Sequence, residues 1–510
     1  LAWLLRKNVS PMSRETNQRY PFLDAFGIWP SHRKIEEDGS VWSQDPPRGV
    51  NLRVQPASVS EVFLPMDRPW EGPGTAGIIA LLHDEGRYRL WYSTTPADQD
   101  HRLVCYAESD DGVEWRRPAL GRVAWNGSTK NNIVSVDGEH HLGFVFRDTT
   151  APADQRYKAI APKGRYFRNG RHDPDLDSKQ AKKLLADLDL GGVSREDRRR
   201  ALSIHHALHA SVSADGLTWR NLTEPILDVG ETALDTHNLC VYDDQTQRYV
   251  AYLRGHQDRR RLVRRSEGDS FTDLGGAQPC LLCDPQDPID DDIYTSCYCP
   301  YPDLPGRHLM FPSIYHRIES TVDIQLAVSR DGCQWQRPER RAIVDRRIDE
   351  ETFGCLYASP NLIVVGDQWR LPLQASRSPH DFRRRRATYP PDNELRWASW
   401  KPDRLVGLEA EDEGSVVLVE RQLSGAPMRL NYRTAHDGWI RVELVEPPHT
   451  PPQPVEALPC FGIQEAEAIS GDELQRVVHW GGRSDLSALK GREVALRLHL
   501  RRAQVFCIEL

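Results

Sequence analysis

Acidic residues stand just ahead of several apolar, strand-like runs of this 510-residue chain. Glu71 precedes Gly77-Ile78-Ile79-Ala80-Leu81-Leu82, and Leu234-Asp235-Thr236-His237-Asn238 precedes Leu239-Cys240-Val241-Tyr242. Asp290-Asp291-Asp292 leads to Tyr294, and Asp349-Glu350-Glu351 leads to Phe353-Gly354-Cys355-Leu356-Tyr357. Acids this far apart act together only if the fold gathers them. Two carboxyl groups flanking a glycosidic bond are what its hydrolysis needs, one as acid and one as base or nucleophile. A general acid at Asp235 would need its pKa raised by burial or by a neighbouring carboxylate. Around these acids, His237, Asn238, Arg254 and Asp292 suit hydroxyl groups, and Trp70 and Tyr294 offer aromatic faces. Trp70 reads equally well as a core anchor.

The elements that must gather the acids are repeated. Ser109-Asp110-Asp111-Gly112-Val113-Glu114-Trp115 recurs from Ser213 to Trp219 and from Ser329 to Trp335, a pattern S-x-D-G-x-x-W with a worn copy at Ser266 to Phe271. Asp-Gly supplies the positive φ of a tight turn, and the Trp packs back over the strand pair. Each clear copy follows an apolar run: Leu103 to Ala107, His209 to Val212, Ile324 to Val328. Alternating segments at Gly86–Tyr92, Gln247–Arg254 and Asp367–Leu373 fill the intervals. Even strand spacing with frequent turns predicts an all-β fold, a five-bladed β-propeller over residues 60–405.

Residues 1–59 are expected as an N-terminal extension packing on the propeller. A helical insertion is expected at about 175–208, with Ser194 capping its second helix and Ala201, Leu202, Ile204 and Leu208 inside it. Residues 406–510 read as a β-sandwich, with strict alternation at Trp439–Leu444 and Val494–Leu500 around a Pro-rich loop.

With Asp67-Arg68-Pro69-Trp70-Glu71, Asn131-Asn132-Ile133-Val134, Arg156-Tyr157-Lys158-Ala159, Asp235-Thr236-His237-Asn238 and the three turns, the chain resembles the five-bladed propeller glycoside hydrolases. These are glycoside hydrolase families 32 and 43 and a poorly characterised bacterial group beside them. The resemblance implies a carbohydrate substrate and an acidic nucleophile or base at Glu71. It implies a transition-state stabiliser at Asp148, in Val145-Phe146-Arg147-Asp148, where Thr149 departs from the family's Arg-Asp-Pro. Glu351 is the preferred remaining acid. Trp42-Ser43-Gln44-Asp45-Pro46 mimics the invertase signature but lies too far before Tyr88–Tyr92 to serve as one. Sialidase repeats are one residue longer. A phosphorylase of the same fold, or a non-catalytic sugar-binding propeller, are the rival readings.

Composition bounds the rest. A net charge of −8 gives no basic footprint for nucleic acid. The runs Arg198–Arg200, Arg259–Arg261 and Arg383–Arg386 read as solvated faces. No stretch is long and apolar enough for a membrane span, and Leu1–Leu5 does not read as a signal peptide. A soluble protein is expected, cytoplasmic or exported. No cofactor and no catalytic metal are expected; a structural calcium in the propeller channel and a homo-oligomer are left open. Cys280, Cys283, Cys297 and Cys299 read as buried thiols, with a zinc site or a disulfide as alternatives.

Overall fold

The computed structural model describes residues 18–72, 77–96, 101–136, 138–173, 175–176, 178–190, 192–381 and 393–510. It falls into two compact units, Pro56–Lys401 and a second formed by Leu1–Gln55 with Pro402–Leu510. The described residues are almost all β, with two short α-helices.

The first unit is a β-propeller built of antiparallel meanders. Gly77–Asp84, Arg87–Thr94, Leu103–Ser109 and Ile133–Val136 form the first sheet. Phe144–Arg147, Tyr157–Arg168, Leu202–Ser213 and Arg220–Asn221 form the core of the second. Leu239–Asp243, Arg248–Gln257, Arg260–Gly268 and Gln278–Leu281 form the third. Beyond it, strands from Asp291–Ile293 through Thr321–Ile324 meet Cys355–Ala358 by one parallel pair, Val322 with Cys355. Gln368–Ser376 and Asn393–Trp400 follow, and the unit's own first strand, Ser58–Val59, completes this last sheet beside Ala398 and Ser399. The leading strands of successive sheets lie side by side: Phe144–Arg147 packs against both Gly77–Asp84 and Leu239–Asp243.

The repeated turns lock neighbouring sheets together. In each, the Ser hydroxyl accepts the Gly N–H at 2.9 Å. The Asp carboxylate accepts the two N–H groups beyond the Gly, as from Leu217 and Thr218 at 2.8 and 2.6 Å. The glycines stand at φ of 74°, 75° and 67°, where a side chain is strained. Two of their carbonyls are bonded from the neighbouring sheet. Trp91 donates to Gly216 at 2.8 Å and Tyr252 to Gly332 at 2.7 Å. A Cβ on Gly216 would meet Trp91 at 2.7 Å. The worn copy has no such turn; Ser266 donates to the Gly275 carbonyl instead.

The helical insertion is shorter than expected. Helices span Ser178–Leu190 and Arg195–Ala201, the latter capped by Ser194, whose hydroxyl accepts the Asp197 N–H at 3.1 Å. Leu202, Ile204 and Leu208 are strand residues, because Leu202–Ser213 pairs with Tyr157–Arg168 along all twelve positions. Ladder bonds and cross-strand packing outweigh a helical spacing of three leucine-type residues there.

In the second unit, three 17-residue strands, Val406–Gln422, Arg429–Val445 and Glu493–Glu509, carry one six-stranded sheet. Bulges at Ala410/Glu413 and Thr434/Trp439 fall at one level across the strands, where bulges bend a sheet. Residues above and below the bend, such as Leu430, Tyr432, Val442 and Leu498, join a single core. The N-terminal assignment is corrected. Arg19–Pro21 pairs with Cys507–Glu509, and Asn51–Val54 pairs with Val406–Glu409, so both extend this sheet. Pairing there satisfies edge N–H and C=O groups that would otherwise stay open.

Candidate functional site

Each leading strand of the propeller has two ends, and the sequence-predicted residues divide between them. At the end where these strands begin lie Asp235, His237 and Asn238, the Asp290–Asp292 segment, and Glu351. Arg254 and His256 reach the same end from the far part of Arg248–Gln257.

Asp235 is exposed, at 66% of its side chain, and ion-pairs with Arg254, whose side chain is 6% exposed. The pair joins a loop to a strand, and Asn238 fixes that loop. Its side-chain oxygen accepts the Arg254 N–H at 3.0 Å, and its amide donates to the Thr236 carbonyl at 2.8 Å. Asn238 is therefore a brace, fully engaged by backbone, and not a hydroxyl-binding group. The Arg254 guanidinium also sits 3.1 Å from His256 Nε2 and 5.4 Å from the Tyr294 ring centroid. Burial, above all, lowers the Arg254 pKa.

His237 crosses from the third sheet to the first. Burial, then the Arg102 charge, pull its imidazole down to about 4, against a hydrogen bond to the Ile78 carbonyl. The ring is neutral at pH 7 and can both donate and accept. Ser359, from the last sheet, reaches the same Ile78 carbonyl at 3.4 Å. Three sheets thus converge on one backbone atom.

Tyr294 has two guanidinium groups near its ring, Arg254 and Arg261, the latter 5.3 Å from its centroid. Tyr315, Tyr357 and His380 surround it at 6.2, 6.2 and 4.8 Å between centroids. Asp292 is buried beneath, accepting from Arg261 Nη1 at 2.8 Å and Arg317 Nε at 2.8 Å. It supports the cations and is not offered to a ligand. Glu351 is exposed on the short strand Glu351–Thr352 and pairs with Arg377 at 2.8 Å.

Two of the expected catalytic acids lie elsewhere. Glu71 is wholly buried inside the first sheet's own packing, paired with Arg117 Nε at 2.6 Å and accepting from Tyr92 at 2.5 Å and from the Arg68 N–H at 3.1 Å. Trp70 joins the same network, donating to Asn132 Oδ1 at 2.8 Å. Burial, then Cys105 and Glu71, push the Tyr92 phenol well above its ordinary value, so it remains a proton donor to Glu71. Position before a strand does not tell whether a side chain turns to the hub or back into its own sheet; here both turn back, and Trp70 is an anchor.

Asp148 is buried at the opposite end of the leading strands. Tyr249 donates to it at 2.5 Å, Thr150 Oγ1 at 2.7 Å, and Lys158 pairs with it at 2.9 Å. Tyr249 and Arg254 share the strand Arg248–Gln257, whose rise sets these two residues about 16 Å apart along it. Burial raises the Asp148 pKa, but the bonds from Tyr249, Lys158 and Thr150 outweigh it and hold the carboxyl low.

Arg261, His256, Tyr315, Tyr357 and His380 escaped the sequence reading. Arg261 lay in a run read as solvated, yet Arg260 donates to the Asp291 carbonyl at 2.6 Å and Arg261 holds Asp292. Arg383–Arg386 lies outside the described residues. None of the ten cysteines is in a disulfide; Cys297 and Cys299 are buried, Cys280 and Cys283 half-buried. Burial pushes the Cys280 thiol up to about 12. Among the described residues, no group of three or more His, Cys, Asp or Glu side chains could hold a metal ion. Among them too, no helix is long and apolar enough to cross a membrane.

No family model and no curated protein matches the chain. Solved structures of similar fold include a beta-fructofuranosidase from Schwanniomyces occidentalis complexed with fructosyl-erythritol, at 10% identity and TM-score 0.41, covering 90% of this chain and 97% of that one. A Bombyx mori beta-fructofuranosidase of glycoside hydrolase family 32 is 9% identical, with TM-score 0.39 and coverage of 90% and 93%. An alpha-L-arabinofuranosidase from Podospora anserina in complex with cellotriose is 11% identical, with TM-score 0.36 and coverage of 68% and 98%. Likeness at these values assigns neither substrate nor residue roles.

Proposed function

We propose that the propeller is five-bladed and that the protein hydrolyses a glycosidic bond of an oligo- or polysaccharide at the end where its leading strands begin. The observation that carries this reading is Asp235: an exposed carboxylate held by a buried arginine whose other neighbours are His256 and the Tyr294 ring. A guanidinium partner favours the anionic form, which suits base or nucleophile. Glu351, an exposed acid at this end paired with Arg377 at 2.8 Å, would have to give up that partner to act as the proton donor. Neutral His237 bonds hydroxyls, and Tyr294 offers a ring face to the sugar. A screen over aryl glycosides and plant or algal glycans, run with the parent and an Asp235→Asn variant, tests the reading.

The second reading is phosphorolysis. It is favoured by one observation: Arg254, Arg261 and Arg317 gather around Tyr294 and Asp292, with His256 beside Arg254. Cations of this kind would bind phosphate as the attacking group. Turnover that requires added phosphate, with a sugar phosphate as product, would replace hydrolysis by this alternative.

A further inference from the structure

The segment Trp42-Ser43-Gln44-Asp45-Pro46 takes no part in the propeller. Its Trp42, Ser43, Asp45 and Pro46 line a cleft of about 410 Å³ in the second unit, together with Arg48, Ser415, Val417, Pro454, Arg497 and His499. The volume is within the range of small-ligand pockets. Its floor is the sheet face opposite the main core: Ser415 stands beside His499, and Val417, buried in a small apolar cluster with Val445 and Val455, beside Arg497. Its walls are the strand Val41–Ser43 with the turn after it, and the Pro-rich loop. Gln44 joins these walls by donating to the Gln453 carbonyl at 2.7 Å, and Arg497 donates to the Val455 carbonyl at 2.7 Å.

The groups facing this cleft are fixed in advance. The Trp42 indole N–H donates to Glu36 at 2.7 Å, which sets the ring plane. Asp45 pairs with Arg497 at 2.9 Å, and Arg497 and His499 are both held from behind by Glu443, at 3.1 and 2.7 Å. Asp45 sits at φ 41°, a strained position for a residue other than Gly, of the kind that recurs at ligand clamps. The charges of Asp45 and Glu443 offset those of Arg48 and Arg497, so the cleft has little net attraction for an ion. What it offers is an acidic acceptor beside a planar donor, two serine hydroxyls, an imidazole, two prolines and the Trp42 ring, which has Lys34 Nζ 5.7 Å from its centroid. A vicinal diol donates to a carboxylate and accepts from a guanidinium, while the C–H face of a pyranose or furanose covers an aromatic ring.

We propose that this cleft is a second, non-catalytic binding site for a neutral saccharide of one to three units. It stands independently of the propeller reading. The test is saturation-transfer NMR on the full chain with cellobiose, maltose, xylobiose, mannobiose and sucrose, and with glucuronate and sulfate as anionic probes. Parent, Trp42→Ala, Asp45→Asn and the propeller variant Tyr294→Ala are compared. Asn keeps the left-handed backbone at position 45 as readily as Asp. The expected result is that at least one neutral sugar binds the parent and Tyr294→Ala alike. Its affinity should fall about tenfold or more in Trp42→Ala and Asp45→Asn, a loss of about 1.4 kcal/mol or more. The proposal is overturned if no neutral sugar binds, if only the anions do, if both cleft variants bind as the parent does, or if binding disappears in Tyr294→Ala.

Discussion

His237, in the loop that leads into the third sheet of the propeller, stands against the backbone carbonyl of Ile78 in the first. The contact brings a loop rich in polar groups to the strand that opens the first sheet. It also explains why Asp235, two residues earlier, stands at a place that several sheets share. The following outcomes are expected from this arrangement.

Glu71 is a structural carboxylate. Glu71→Gln removes the buried partner of Arg117, 8% exposed, and leaves it only Asp67 at 3.8 Å. Loss of one partner of a buried pair costs about 3–5 kcal/mol. Urea unfolding should show a loss of that order, while the fraction that remains folded keeps its activity per molecule.

Asp148 contributes to stability at the opposite end. Its folded pKa is depressed, so its contribution is present above the ordinary carboxyl value of 3.8 and is lost as pH falls through the folded value. Asp148→Asn should weaken the folded state at pH 7 by about 1–3 kcal/mol through its bonds to Lys158 and Tyr249. The difference between variant and parent should shrink on acidification below pH ~4.

His316 works in the other direction. Hydrogen bonds to Asp291 at 2.6 Å and Asp323 at 3.1 Å raise its pKa to about 10 from 6.5. Its stabilising effect is complete below the ordinary value and is lost as pH rises through about 10. The parent's unfolding midpoint should therefore decline between pH 7 and 10, and His316→Asn should flatten that decline.

The turn glycines separate strain from packing. Gly216→Ala sets a Cβ 2.7 Å from Trp91 at φ +75°, whereas Gly127→Ala, at φ +78°, meets nothing within 4 Å. The first should cost about 2–4 kcal/mol and the second about 1 kcal/mol, read from denaturant midpoints.

How far the sequence reached follows from the range of the forces involved. The turns at Gly112, Gly216 and Gly332 were legible because Ser, Asp, Gly and Trp act within seven consecutive residues. The Ser194 cap was legible for the same reason. Glu71 was misread because its partner, Arg117, is 46 residues away and nothing local marks the pair. Asp292 was read as a free acid because its partners Arg261 and Arg317 lie 31 and 25 residues off in sequence. His380 carries no local pattern at all; only the packing of four segments sets its ring beside Tyr294. The strand Asn51–Val54 could not be assigned to a unit, because alternation identifies a strand and not the edge it will join.

The proposed role of Asp235 as the working carboxylate of the propeller is tested directly by one comparison. Hydrolysis of the best glycan found by screening is measured for the parent and for Asp235→Asn, alongside their unfolding midpoints. The expected result is a fall in turnover of about 100-fold or more in a protein that still unfolds cooperatively, its midpoint lowered by the loss of Arg254's partner. Equal turnover by the two proteins would contradict the assignment.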